Sequence, residues 1–374
     1  MGTPRARLPL LALLCSVLLL SGCATGALSR PADGRERIAL AMSYIGNDWQ
    51  TEAQKLVLAE AGTPPYNSRV DLRTLVSGAD VEKQIAQLQQ LVAQGYQAIV
   101  IYPISPTALN PVVRQACDRH IVVIAYDAEV TEPCAYNVHI NQRFAGRASA
   151  EFLATAMHNQ GGVALVTGVP GTSVDADRTS AAKEVFARHS IKIVDSCPGM
   201  WDQATGQQCM SQMLAAHPSG IDGVWTQAGY GAFLAYQAAH KNVPPMAFEG
   251  DNGSRVAIAE GQVVGISYSS PPYTGAYALK VADAILRGES FPHVIQVPLP
   301  LVTRGELKLC SDVQRGCNVF PPNQVTTGFL ASFYDGDLTP ELCLSAAQSA
   351  HPCPGQVAKP PQPRSAPDEA TSRA

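Results

Sequence analysis

Aromatic, carboxylate, carboxamide and guanidinium side chains recur at one kind of place in this chain: directly after short apolar runs. Ser43-Tyr44-Ile45-Gly46-Asn47-Asp48-Trp49 follows the first run, Tyr102-Pro103 the third and Tyr126-Asp127 the fourth. Farther on come Gly168-Val169-Pro170-Gly171-Thr172-Ser173 with Arg178 behind it, Met200-Trp201-Asp202, Gln227–Tyr230, and Gly250-Asp251-Asn252. Such a set suits a polyol. An indole face packs on C–H surface, while Asp, Asn and Arg supply the directional hydrogen bonds that hydroxyls need once water is excluded. Asp127 and Asp251 stand out, because a carboxylate set directly after an apolar strand is costly unless something polar meets it. Asp48 and Asn252 suit helix capping equally well. Trp49 and Trp201, two of three tryptophans, compete with a role in the core.

Other chemistries lack their residues. The eight histidines are scattered without HExxH spacing, and there is neither a GxSxG elbow nor a phosphate loop with its lysine. No CxxC or Cys/His grouping has zinc spacing, and Asp335-Gly336-Asp337 lacks the other ligands of a calcium loop. The reading is therefore a binding protein, not an enzyme, with no cofactor, no metal and no catalytic residue.

Apolar runs too short for helices alternate with amphipathic stretches, the pattern of βαβ units and parallel sheets. Strands are expected at Ile38–Ser43, Val70–Leu75, Ala98–Tyr102 and Ile121–Ala125. After a helix near Asn141–Met157 they are expected at Val163–Thr167, Ile191–Asp195, Gly223–Thr226, Met246–Glu249 and Val264–Tyr268. The helix Val81–Gln94 sets Ile85, Leu88 and Val92 on one face and Gln84, Gln87 and Gln90 outward, and Gly95 closes it. A last helix, Tyr273–Arg287, leads to an extended, proline-broken segment, Val294–Val302. Two runs of alternation imply two α/β lobes, each a Rossmann-like parallel sheet, whose ligands meet the carboxyl ends of the strands.

The ends of the chain speak of export. Arg5 and Arg7 precede the apolar stretch Leu8–Leu20, too short to span a bilayer, and Leu20-Ser21-Gly22-Cys23 resembles a lipobox. A signal peptide over 1–22 would leave lipidated Cys23 as the first of 352 residues and a formal net charge of −6, with no basic stripe for nucleic acid. Setting aside Cys15 and Cys23, eight cysteines remain of ten, an even number that fits an oxidising compartment. In chain order they suggest Cys117 with Cys134, Cys197 with Cys209, Cys310 with Cys317, and Cys343 with Cys353, one of 105 possible connectivities. The segments expected are a linker over 23–37, a first lobe over 38–141 and 270–300, a second over 142–269, a hinge return with a cysteine-rich extension over 301–353, and a disordered tail over 354–374.

From Ile38 to Val302 the order of these marks resembles the type I, ribose-type periplasmic binding proteins that serve ABC sugar transporters. The marks are Ser43–Trp49, Tyr102-Pro103, Val123–Asp127, Gly171-Thr172-Ser173 with Arg178, Ala216-His217-Pro218 before Asp222-Gly223-Val224, and Gly250-Asp251. The resemblance implies two lobes joined by a three-strand hinge, with crossings near Asn141, Ser269–Pro271 and Pro298–Leu301. By carry-over, Asn47 and Trp49 match the family's first-strand amide and stacking ring, Asp127 its hydroxyl-binding aspartate, Arg178 its second-lobe arginine, Trp201 the second ring and Asp251 the late aspartate. The family's late glutamine falls near Ser269. The sequence departs from the pattern at Ala128, where an arginine is common, and at Ala228-Gly229, where an asparagine is. The implied protein is a lipid-anchored monomer of the cell envelope. It would close on a sugar or polyol and serve a permease, or alternatively a histidine kinase or chemoreceptor.

Overall fold

A computed structural model describes residue 2 and residues 34–309, 318–323 and 325–330. The leader, Cys23, the pairs Cys310–Cys317 and Cys343–Cys353, and the tail over 354–374 lie outside the described residues. The first sheet holds β1 (Glu36–Met42), β2 (Val70–Val76), β3 (Ala98–Ile101), β4 (Val122–Tyr126), β5 (Tyr136–His139) and, much later in the chain, β11 (Val294–Gln296). Its order is β11-β5-β4-β3-β1-β2, all parallel. The second sheet holds β6 (Gly162–Thr167), β7 (Lys192–Pro198), β8 (Gly223–Thr226), β9 (Met246–Glu249), β10 (Gly265–Tyr268) and β12 (Leu301–Thr303), in the order β12-β10-β9-β8-β6-β7. It is parallel except for β12, which runs antiparallel to β10. Helices α1 (Asp48–Ala61), α2 (Tyr66–Arg69), α3 (Val81–Ala93), α4 (Asn110–Asp118) and α10 (Thr274–Leu286) belong to the first lobe. Those of the second are α5 (Gln142–Ala156), α6 (Ser173–Arg188), α7 (Gln203–Ala216), α8 (Gly231–Ala238) and α9 (Asn252–Ala259).

The period of two along each strand sorts its apolar residues between two cores. In the first sheet Ile38, Leu40, Val100 and Ile124 pack on the α10 side, while Ala39, Ile99, Ile101 and Val123 pack with Leu88, Leu91, Val112 and Val113 of α3 and α4. The second sheet repeats the division. Leu165, Trp225 and Tyr268 face the α5 and α6 side, and Val166, Val224 and Phe248 the side of α7 and α8. Strands covered on both faces read as unbroken apolar runs, which is why they are visible in the sequence. β5 is not, because Tyr136-Asn137-Val138-His139 is short and half polar; Asn137 spends its amide on the backbone of Val130.

One helix face is turned from the expectation. Gln84 is fully buried and clamps the end of β3, its Nε2 donating to Tyr102 O at 2.8 Å and its Oε1 accepting from Ile104 N at 3.1 Å. A strand end that stops inside the protein leaves such groups to be satisfied, and a carboxamide can serve both at once.

The chain passes between the sheets three times: from β5 to α5, from β10 to α10, and from β11 to β12. The last passage carries Pro298 and Pro300, whose missing N–H groups split one extended segment between two sheets. Disulfides link Cys117 with Cys134 and Cys197 with Cys209, with Cα atoms 6.3 and 6.2 Å apart. Where α5 crosses α6, a Cβ on Gly146 would collide with the backbone of Arg178. Gly146→Val is therefore expected to cost about 1–3 kcal/mol in urea unfolding, the usual penalty of overpacking. Because it displaces the turn that carries Arg178, it should also weaken ligand binding measured by calorimetry, whereas an equally destabilising change on the far side of α7 should not.

Candidate functional site

In both sheets the order reverses beside the first strand of the lobe, between β1 and β3 and between β6 and β8. Connections diverge there, leaving a crevice at the carboxyl ends. A cavity of about 750 Å³, solvent at its open mouth included, lies between the two crevices. The first lobe lines it with Asn47, Trp49, Tyr102 and Asp127, among others, and the second with Arg178, Trp201, Gln227, Glu249 and Asp251.

Arg178 forms the floor. It is completely buried, with Nε donating to Gln142 Oε1 at 2.7 Å, one terminal nitrogen to Glu249 Oε1 at 2.7 Å and the other to Ser270 Oγ at 2.9 Å. Its guanidinium carbon lies 5.6 Å from the centre of the Tyr268 ring. Gln142 passes the network to the first lobe, donating to Asp127 Oδ1 at 3.0 Å. Five residues from both lobes and from two of the crossings thus share one hydrogen-bonded unit. Burial pushes the Asp127 and Glu249 carboxyls above their usual range, and the Arg178 charge pulls both back.

Asn47 caps α1, its Oδ1 accepting from Gln50 N at 2.8 Å, so Asp48 is the first helical residue and not the cap. Trp49 donates its Nε1 to Ser270 O at 2.7 Å and lies 6.4 Å from Tyr126, the rings 14° from parallel. From the other lobe Trp201 sits on a turn where it and Met200 both have φ above +50°, a conformation uncommon without glycine. Its Nε1 donates to Gln227 Oε1 at 3.2 Å, and Gly168 leaves room for the indole, since a Cβ there would strike it.

Asp251 caps α9, one oxygen accepting from Ser254 N and the other from Tyr230 N, each at 2.7 Å. Asn252, a capping candidate by sequence, instead holds a late segment of the chain. Its amide pairs with Phe320 N and O, while the free N–H groups of Asn252 and Gly253 donate to Phe329 O and Thr327 O. That segment crosses the cleft mouth. Thr327 Oγ1 donates to Gln203 of α7, and Leu330 N to Glu52 of α1 at 2.9 Å; Gly328 and Leu330 line the cavity.

Of the residues singled out by sequence, Asn47, Trp49, Asp127, Arg178, Trp201 and Asp251 come together. Ser269 does not line the cavity: its hydroxyl is buried and turns to Ser270 O, while Ser270 carries the network. Sequence reasoning passed over Gln142, Ser270 and Glu249. Glu249 was readable, since a carboxylate closing the apolar run Met246-Ala247-Phe248 obeys the same rule that picked out Asp127.

Burial raises the Asp251 carboxyl to about 6, despite the two backbone N–H groups that favour its charge. An acid whose folded value exceeds its unfolded one adds stability below the unfolded value, and that contribution is lost as pH climbs to the folded one. Relative to Asp251→Asn, the parent should therefore lose roughly 2–4 kcal/mol of unfolding free energy as pH rises from about 4 to 6, at 1.36 kcal/mol per pKa unit. Chemical denaturation of both proteins across that window measures it; a difference independent of pH would contradict the burial of this carboxyl.

A sequence model described as "periplasmic binding protein domain" matches residues 38–290. The ribose import binding protein of Salmonella typhimurium is 27% identical over 299 residues, 79% of this chain and 98% of that protein. Among solved structures, an ABC transporter solute-binding protein from Thermobispora bispora superposes with a TM-score of 0.69 at 23% identity, covering 87% of this chain and 99% of that one. The fructose-binding periplasmic domain of a hybrid two-component system gives 0.64 at 20% identity, over 72% and 91%. With that model matching residues 38–290, more than half of the chain, and two parallel-dominated lobes facing one cleft, the chain belongs to the type I periplasmic binding protein family.

Proposed function

We propose that the protein captures a sugar or comparable small polyol between its lobes and presents the closed form to an ABC transporter permease. The observation that carries this reading is the unit Asp127–Gln142–Arg178–Ser270–Glu249, which stands at the meeting of lobes and crossings and borders a cavity lined by an indole from each side. Two of the five N–H groups of Arg178 are left over from its three protein bonds and are suited to hydroxyl oxygens. A ligand that contacts both lobes favours the closed state by its difference in affinity for closed and open forms, and that difference is what a membrane partner reads. The leader and Leu20-Ser21-Gly22-Cys23 add a lipid anchor outside the cytoplasmic membrane, with the binding domain acting as a monomer. Among the described residues no helix is long and apolar enough to cross a membrane.

A sensory partner is the second reading, favoured by the likeness to a domain of a two-component system. A neighbouring ATPase and permease gene pair would support transport, and a neighbouring histidine kinase would support sensing.

Thermal unfolding against a panel of pentoses, hexoses and cyclitols tests the binding reading, because a ligand at 100 times its Kd adds about 2.7 kcal/mol to stability. Asp127→Asn keeps the size of the side chain but removes the charge, and it should weaken binding by about 1.5–3 kcal/mol, the worth of a hydrogen bond to a charged group. Full retention of affinity in this variant would move the ligand away from the arginine network. Cys23→Ser should shift the protein from the membrane to the soluble fraction; retention at the membrane would remove the lipid anchor.

A further inference from the structure

The cleft is unbalanced in charge. Its walls carry five carboxyl groups, Asp48, Asp127, Asp202, Glu249 and Asp251, against the single guanidinium of Arg178. That guanidinium is already paired with Glu249. The backbone donors on Asp251 and the amide donor on Asp127 Oδ1 are neutral and cancel no charge.

Asp48 and Asp202 come from opposite lobes. Asp48 opens α1 and Asp202 caps α7, and they are close enough that Asp202, after burial itself, raises the Asp48 carboxyl above its usual range. Lys55 pulls Asp48 the other way, but it is exposed on α1 and does not line the cavity. Closing the lobes on a neutral solute therefore brings two like charges together.

A second observation points to an occupant at the same wall. Gln50, two residues beyond Asp48 and 1% exposed, borders the cavity with both Nε2 and Oε1 lacking a hydrogen-bond partner. A carboxamide so buried ordinarily has its bonds made. Here the missing partners are a donor and an acceptor lying side by side, as neighbouring substituents on a polyol ring do.

We propose that the solute is a polyol bearing a protonated amine, an amino sugar or aminocyclitol, whose ammonium bridges Asp48 and Asp202 while Gln50 pairs with the hydroxyls beside it. This rests on the sugar-binding reading above and narrows it. An ammonium has three donors and no acceptor, so it can serve both carboxylates at once and turn their repulsion into a bridge. The same pair selects against uncharged sugars, which leave the two carboxylates facing each other.

Calorimetry on the full mature protein, at pH 7 and low salt, tests it with matched probes: D-glucose and D-galactose, their 2-amino-2-deoxy forms, and the N-acetylated amines, which keep the nitrogen but lose its charge. The free amine should bind at least tenfold more tightly than both its parent sugar and its N-acetyl form. That preference should shrink in 0.5 M NaCl and vanish in Asp48→Asn/Asp202→Asn, while Gln50→Ala should weaken the amines. A parent sugar that binds as well as its amine, or a preference untouched by salt, overturns the proposal even if the double variant fails to fold. If neither these sugars nor their amines bind while another member of the thermal panel does, this inference falls and the sugar reading stands; if nothing in either set binds, both fall.

Discussion

A guanidinium with no exposure to water has to be answered entirely by the protein or its ligand. Around Arg178 the answer comes from four places in the chain: the first turn of α5, the end of β9, the crossing at Ser270 and, through Gln142, the end of β4. These partners set the geometry of the cleft floor. They fix where the lobes meet, because the network includes residues on both sides of the hinge, and they fix how closely α6 approaches α5, because Gly146 leaves no room between that helix and the Arg178 backbone. Removing any one member leaves the others buried and underbonded, a cost that resists drift in the arrangement.

Around this floor the site follows from topology. Parallel strands deliver every carboxyl end to the same edge, and the order reversal in each sheet parts the connections that would otherwise fill it. Helix caps do double duty at that edge. Asn47 caps α1, Asp202 caps α7 and Asp251 caps α9, so three polar side chains in the cavity wall are held rigid by backbone they satisfy. Capping and ligand contact, which compete as explanations in the sequence, are compatible roles for one residue.

The fold was legible because its inner strands are buried on both faces and so appear as compact apolar runs; β5, at four residues with Asn and His among them, lacked that signal. The lining of the cleft was legible to the extent that it sits immediately after strands. Asn47, Trp49, Asp127, Trp201 and Asp251 could be named from position, and Arg178 from its distance behind a loop. Ser270 could not be told from Ser269, because the crossing is irregular and no period dictates which hydroxyl turns inward. Gln84 misleads, and Gln50 carries no mark, for a related reason: a glutamine on a helix reads as surface, yet the ends of strands and the walls of clefts need buried carboxamides. Lipidation and the two distal disulfides rest on the sequence alone.

The late segment over the mouth alters how such a clamshell can move. Phe329 is bonded to α9 of one lobe, and the very next residue, Leu330, to α1 of the other. A single peptide unit offers no slack, so swinging the jaws apart must first unlatch one of these two bonds. Separation of the two lobes is thus restrained at the front of the molecule as well as at the pivot behind it.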